Sequence, residues 1–413
     1  MASKTGILAN GRSYKAPKAP TVVICIDGSE PGYIEKAIAA GRAPNFARFM
    51  KKGANLIAEC VIPSFTNPNN LSIITGRPPH VHGIAGNFFF DPSVGKEVMM
   101  NDPSFMRAPT ILAAMQEAGH KVAMVTAKDK LRLLLSNGLD YAGGTAIAFS
   151  SEKADKATKK DNGIDNVCQF VGMGVPEVYS AGLSEFVFAA GVKLVETFRP
   201  DLMYLSTTDY IQHKCAPGSA IANDFYAMID RYIGRLDELG CIVVATADHG
   251  MNDKHLKDGT PDVLYLEPLF DGWVGKGKAR VILPITDPYV AHHGALGSFA
   301  TVYVPPGSDV RGLIGKLQAT PGVQRAMTRN AACNEFELPT DRLGDIVVIS
   351  TRHKTLGTAP EKHDLSGLTE PLRSHGGLTE QRVPMISNRK VRLPEGHRLR
   401  TFDVFAVALN HTR

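Results

Sequence analysis

Asp27, Asp209, His213, Asp248, His249 and His375 are carboxylates and imidazoles of the kinds that grip metal ions, and Thr66 adds a hydroxyl to the set. Three of these positions share one grammar. Asp27 follows the apolar run TVVICI (21–26), Asp209 closely follows LMYL (202–205), and Asp248-His249 follow IVVATA (242–247). Unbroken apolar runs with β-branched residues read as parallel strands covered on both faces. Open α/β sheets present their ligands beyond the carboxyl ends of such strands, where these carboxylates stand. Gly250 lets the backbone turn tightly behind the Asp-His pair. If the chain turns helical after residue 209, Asp209 and His213 share one face and can hold one ion. Three carboxylates, three imidazoles and no thiolate suit two zinc-class ions, with Mn2+ or Fe2+ as other acceptable guests.

Any one member of the set has an ordinary reading. Asp-His pairs also occur in solvated turns, Thr66 in PSFTNPNN (63–70) would serve as a helix N-cap, and His292-His293 pass for ligands on motif alone. The set outweighs these readings because its carboxylates follow three separate buried strands. A second group of residues points to an anion. A hydroxyl at a helix N-terminus meets free backbone N–H groups, a good place for a nucleophile that attacks an anion. Lys128 and Lys130 stand just past the strand-like run 122–126, where they suit an anion site or a solvated loop. Asn87 lies in GIAGNFFF (83–90), a loop running into an aromatic cluster.

Strand-like runs at 21–26, 122–126, 202–205 and 242–247 alternate with helical stretches at 34–50, 109–119, 185–198 and 223–239. That order predicts an α/β fold with a mainly parallel central sheet and helices on both faces. From about residue 264 the texture changes: short strand-like runs at 279–283, 300–304 and 345–349 flank a helical stretch at 310–317. We read 263–364 as a small inserted α+β domain and 19–262 with 365–413 as the core. Residues 1–18 are polar, carry no apolar signal core and read as a flexible arm. The charge-rich segment 151–166 reads as an exposed loop.

Composition narrows the function classes. The 413 residues are 44% hydrophobic and 21% charged, as in a soluble globular protein, and no apolar stretch approaches bilayer length. A net charge of +5 disfavours a dedicated nucleic-acid binder, and the basic run 389–400 reads more simply as a solvated loop. The six scattered cysteines, never in C-x-x-C spacing, argue for free thiols in a reducing cytoplasm. A small molecule is the expected partner, and homodimerisation is left open.

In chain order, Asp27-Gly28, Phe65-Thr66-Asn67, Asp209-x-x-x-His213, Asp248-His249-Gly250 and His375-Gly376-Gly377 resemble the motifs of the alkaline phosphatase superfamily. The nucleotide pyrophosphatase/phosphodiesterase-like branch, and within it the phosphonoacetate hydrolases, is most similar. The resemblance runs from Asp27 to a C-terminal strand at 401–409. It implies two zinc ions, one held by Asp209, His213 and His375, the other by Asp27, Asp248 and His249 with Thr66 as nucleophile beside it. It further implies that the insertion caps the site and that Thr66, Asn87, Lys128, Lys130 and His213 contact a phosphonate substrate. The implied reaction is cleavage of the C–P bond of phosphonoacetate to acetate and phosphate through a Thr-phosphoryl intermediate. A phosphodiesterase or phosphomonoesterase would use the same core. A catalytically silent metal-binding module would be marked by loss of Thr66 or a ligand, and all seven are present. Thr66-Asn67-Pro68 lacks the modifiable Cys or Ser of a sulfatase, and the related phosphoglycerate mutases use Ser with manganese.

Overall fold

The structure is a computed structural model that describes residues 6–287 and 293–413. Its central sheet has seven strands: β1 Thr21–Cys25, β2 Ala54–Glu59, β3 Val122–Thr126, β4 Ala146–Ser150, β5 Leu202–Ser206, β6 Ile242–Thr246 and β7 Arg382–Ser387. Their spatial order is β2-β7-β6-β1-β5-β3-β4. β6, β1, β5, β3 and β4 run parallel, while β7 is antiparallel to both β6 and β2. The mainly parallel α/β fold expected from the sequence is the one observed.

The apolar runs are unbroken because both faces of the sheet are covered. Val22 and Ile24 of β1 enter one buried layer, Val23 and Cys25 the other; in β5, Met203 and Leu205 join the first and Leu202 and Tyr204 the second. The alternation of side chains across a pleated strand makes that split. Helices Pro31–Ala39, Pro44–Lys52, Gly182–Thr197 and Ala220–Glu238 close the first layer. Helices Thr66–Thr75, Ile111–Glu117 and Asp129–Leu135 close the second.

Register brings the chemistry together. Thr21 pairs with both Ile242 and Leu202, and Leu202 pairs with Val122. Thr246, Cys25, Ser206 and Thr126 therefore end their strands at one level. Asp248, Asp27, Asp209 and Lys128, two or three residues further on, emerge along the same sheet edge.

Within 263–364 lies a separate four-stranded antiparallel sheet, in the order Arg280–Ile282, Phe299–Tyr303, Ile346–Ser350, Val323–Thr328. It has its own apolar cluster, which Ile62 and Phe65 of the core enter. The insertion thus packs directly on the turn that presents Thr66.

Three stretches depart from the sequence reading. Ile7–Ala9 and Arg12–Tyr14 pair as a hairpin, closed by Asn10-Gly11 with φ of 50° and 73°. Asn-Gly is the dipeptide that best tolerates two positive φ angles in a tight hairpin turn. Tyr14 is fully buried and the Lys15 amide donates to Asn410 Oδ1 at 2.8 Å, so this part of the expected flexible arm belongs to the core. Residues 1–5 lie outside the described residues. The segment 151–166 contains the helical turns Ala154–Lys156 and Lys159–Asn162. Ser151 Oγ donates to Leu183 O at 3.0 Å and Asn162 Nδ2 to Ala148 O at 2.7 Å, which anchors the expected loop at both ends. The stretch 401–411 is helical instead of a strand, with Val404, Phe405 and Val407 all buried. A short apolar run covered on every side carries no period that separates helix from strand.

Ala43, at the N-cap of Pro44–Lys52, has no side-chain acceptor to offer the helix. Asp230 supplies it from Ala220–Glu238: Oδ1 accepts from the Phe46 amide at 2.7 Å and Oδ2 from the Asn45 amide at 3.1 Å. A carboxylate there also faces the positive end of the helix dipole. Asp230→Ala is expected to lower the unfolding free energy by about 2–3 kcal/mol, because buried amides lose a charged acceptor. Urea denaturation checks this, with Asp230→Asn losing less. Among the described residues no helix is long and apolar enough to cross a membrane.

Candidate active site

Beyond β1, Gly28 takes a φ of +71°, and a Cβ there would lie 2.9 Å from Asp209 Cβ. Only glycine lets the Asp27 and Asp209 turns approach so closely. Asp209 precedes the short helix Tyr210–Lys214, which places His213 Nε2 2.9 Å from Asp209 Oδ2. His375 arrives from a distant loop with Nε2 3.6 Å from the same oxygen. In the neighbouring group, His249 Nε2 lies 3.2 Å from Asp27 Oδ1 and 3.7 Å from Asp248 Oδ2. Donor atoms within each trio lie within 4.8 Å of one another. The His249 and His375 rings stack at 3.6 Å, so the two trios adjoin.

The imidazoles are oriented from behind. Nδ1 of His213 lies 2.7 Å from Arg373 O, Nδ1 of His249 3.0 Å from Gly250 O, and Nδ1 of His375 2.8 Å from Ser64 O. A carbonyl only accepts, so each Nδ1 carries a proton and each Nε2 turns its lone pair toward the carboxylates. Such lone pairs repel unless a cation or an additional proton sits between them. Donors about 2.0–2.1 Å from a tetrahedral zinc stand about 3.3 Å apart, close to the spacing seen here. While His249 Nε2 keeps its lone pair, the buried Asp27 Oδ1 meets no hydrogen-bond donor among the described residues, which also favours a cation.

The charges agree with the geometry. Burial raises the Asp27 carboxyl well above its usual range, and Asp209 and Asp248 add to it. Burial pulls His249 down, yet the carboxylates of Asp248, Asp27 and Asp209 lift it to about 10. Asp209 is held well below the carboxylate range, against its burial, by His213, His375 and His249. With no cation, a proton on His249 must offset the carboxylates; divalent ions would do so directly. The donor set fits two of them.

Thr66 is the first residue of its helix, with Phe65 at the N-cap, and its side chain makes no capping bond. It is therefore not the simple cap that its sequence context also allows. Its Oγ1 lies 3.4 Å from His249 Nε2. Asn70, one turn on, donates from Nδ2 to Asp248 Oδ2 at 2.9 Å and accepts from Tyr204 OH at 2.7 Å. Sequence reasoning passed over Asn70; its one signal was its place a helical turn after Thr66.

A cavity of about 340 Å³ opens over Asp27, Thr66, Asp209 and His375, and Asn87, Lys128 and Lys130 also line it. Asn87 Oδ1 accepts from the Asn67 amide at 3.3 Å. Lys128 Nζ lies 5.8 Å from the centroid of the Tyr179 ring. Ile285, Asp287 and His293 reach the same cavity from the insertion, and Glu152 and Lys153 from the segment first read as a plain loop. The His293 ring stacks on His213 at 5.0 Å without joining either donor trio. His292 lies outside the described residues.

The sequence model of the type I phosphodiesterase / nucleotide pyrophosphatase family matches residues 21–378, a span that holds both donor trios and Thr66. The chain belongs to that family. It is therefore a hydrolase of the alkaline phosphatase superfamily, and the family depends on metal ions. A phosphonoacetate hydrolase from Sinorhizobium meliloti 1021, solved with phosphonoacetate and with phosphonoformate, is 59% identical over 98% of this chain and 99% of its own, with a TM-score of 0.96. An uncharacterised pyrophosphatase/phosphodiesterase of Schizosaccharomyces pombe is 34% identical over 96 residues, which are 22% of this chain and 19% of that protein. Murine ectonucleotide pyrophosphatase/phosphodiesterase 5 shares the fold, with 18% identity, 96% of each chain covered and a TM-score of 0.63.

Proposed function

We propose that this chain hydrolyses the C–P bond of phosphonoacetate to acetate and phosphate, with Thr66 as nucleophile and two zinc-class ions as cofactors. What carries this reading is the 59% identity, over nearly the whole of both chains, with a phosphonoacetate hydrolase solved with that compound. Asp209, His213 and His375 would hold one ion, and Asp27, Asp248 and His249 the other, beside Thr66. Ions so placed offset charge on phosphoryl oxygens and lower the pKa of a nearby hydroxyl.

Thr66 sits at the N-terminus of its helix, whose positive dipole end favours an anionic phosphonate. Its oxygen bonds to phosphorus as the C–P bond breaks in line. The electron pair leaves with the methylene carbon as the enolate of acetate, which a proton then quenches. Water hydrolyses the Thr66 phosphoester and releases phosphate. Asn87 accepts the Asn67 amide through Oδ1, which leaves Nδ2 as the donor for a phosphoryl oxygen. Charge developing on the leaving carboxylate is held by Lys128 and Lys130, compact cations on the cavity wall. The six free thiols support a location in a reducing cytoplasm.

Replacing Lys128 or Lys130 with Met is expected to lower kcat/KM for phosphonoacetate by roughly a hundredfold, the worth of one lost electrostatic contact to developing charge. Nitrophenyl phosphate has a good leaving group without a carboxylate, so its kcat/KM should move far less. Equal losses on both substrates would remove the lysines from this role. The reading itself is tested by incubating zinc-loaded protein with phosphonoacetate and assaying acetate and phosphate together. One acetate per phosphate is expected. Fully loaded protein that forms no acetate but cleaves a nucleotide ester would be a phosphodiesterase.

A further inference from the structure

Asp287 comes from the insertion and Lys130 from the core helix Asp129–Leu135, and they meet at the cavity. Lys130 Nζ lies 3.1 Å from Asp287 Oδ1 and 3.4 Å from Oδ2, so both oxygens of one carboxylate face one ammonium. Two other acidic residues on this wall are turned to other tasks. Asp129 Oδ1 accepts from Arg132 Nε at 2.7 Å and Ser150 Oγ at 2.9 Å, and Glu152 Oε2 accepts from the Asp129 amide at 2.8 Å. Asp287 thus presents to Lys130 the same chemical group that the tail of phosphonoacetate would present.

We propose that Asp287 is an internal carboxylate that exchanges with the carboxylates of substrate and product on Lys130, and so sets the affinity for both. The inference rests on the reading of Lys130 as the anchor for the substrate carboxylate. A lysine ammonium can donate to two carboxylates, but two such anions on one cation repel each other at contact distance. Side-chain exposures of 35% for Lys130 and 18% for Asp287 leave the pair partly screened, so the contact between these two charges is a weak one. Phosphonoacetate displaces Asp287 because its phosphonate end is gripped at the same time. Once the C–P bond is cut, acetate has lost that second grip. Asp287, tethered to the fold at high effective concentration, then reclaims Lys130 and helps acetate leave. No bond is made or broken beyond those of the hydrolysis.

Asp287→Asn keeps the size and removes the charge, and Asp287→Ala removes the acceptor as well. Both are expected to lower the KM for phosphonoacetate and the inhibition constant for acetate by about three- to fivefold, the worth of a partly exposed ion pair. The KM for nitrophenyl phosphate and the inhibition constant for phosphate should stay within about twofold, since neither ligand carries a carboxylate. A higher KM for phosphonoacetate would make Asp287 a support for Lys130 and overturn the exchange. Unchanged constants, or equal shifts with and without a carboxylate, would overturn it too. Wild-type protein that releases no acetate from phosphonoacetate would sink the proposed function first, and the exchange with it.

Discussion

Thr66→Ala is expected to leave a folded protein whose turnover is lower by a factor on the order of 10^4 to 10^6, the scale seen when a covalent nucleophile is removed. Folding should survive because the Thr66 side chain makes no capping bond and begins its helix instead of packing inside it. Chemistry should fail because, among the described residues, no neighbouring hydroxyl is equally placed. Thr207 also lines the cavity, but its Oγ1 accepts the Asp27 amide at 2.9 Å and so holds a donor loop in place. Thr66 Oγ1 lies 3.4 Å from His249 Nε2, at the edge of the Asp27/Asp248/His249 trio. Thr66→Ser keeps the oxygen and should retain turnover well above the alanine variant. Titration calorimetry with phosphonoacetate separates lost chemistry from a lost site: binding to Thr66→Ala should persist. If Thr66→Ala turns over within tenfold of wild type, water attacks phosphorus directly and no Thr-phosphoryl species forms.

The donors of this site were legible in the sequence for a physical reason. A parallel strand covered on both faces has to be apolar throughout, so a carboxylate just beyond it, as at Asp27, Asp209 or Asp248, stands out against its context. The four-residue spacing of Asp209 and His213 was equally readable, since a helical turn fixes what shares a face. What the sequence does not carry is the pairing between remote segments. His375 reaches Asp209 only through a loop more than a hundred residues past His249, and the acceptors Arg373 O, Gly250 O and Ser64 O that orient the imidazoles are backbone groups with no side-chain signature. Asp287 looked like any acidic loop residue, and its meeting with Lys130 depends on how the insertion lies on the core. The Asn10-Gly11 hairpin shows the opposite failure. Its turn signal was plain, but the polar residues around it suggested disorder.

Lys254 and Glu380 are single charges with nothing in the sequence to distinguish them, yet Lys254→Met is expected to cost the folded state about 3–5 kcal/mol. Both side chains are fully buried. Lys254 Nζ donates to Ser298 Oγ at 2.7 Å, Arg352 O at 2.6 Å and Glu380 Oε1 at 3.0 Å, which uses all three of its protons. Glu380 Oε2 accepts from the Gly377 amide at 2.9 Å, and Oε1 from Asn252 Nδ2 and Thr379 Oγ1 at 2.6 Å each. Removing the lysine strands the carboxylate away from water, which costs more than the pair contributes net. Lys254→Met with Glu380→Gln should recover part of the loss, because glutamine keeps an acceptor without the charge.

The pH dependence carries the diagnosis of that loss. In the wild type, burial would raise the Glu380 carboxyl, but Lys254, Thr379 and Asn252 hold it below its ordinary 4.5. A depressed carboxyl contributes stability that is present above the ordinary value and fades as the pH falls through the folded one. Without Lys254 burial dominates, the folded state prefers protonated Glu380, and the sign reverses. The deficit of Lys254→Met should therefore be largest near pH 7 and narrow toward 4.5, read as urea midpoints across that range. A deficit that does not change with pH would put the loss in packing instead. The consequence reaches the metal donors, since the Gly250 amide donates to Glu380 O at 2.7 Å and the Ser298 amide to His375 O at 2.8 Å. A pair that fixes both loops sets how far His249 stands from His375, so loosening it should weaken zinc binding in the protein that still folds.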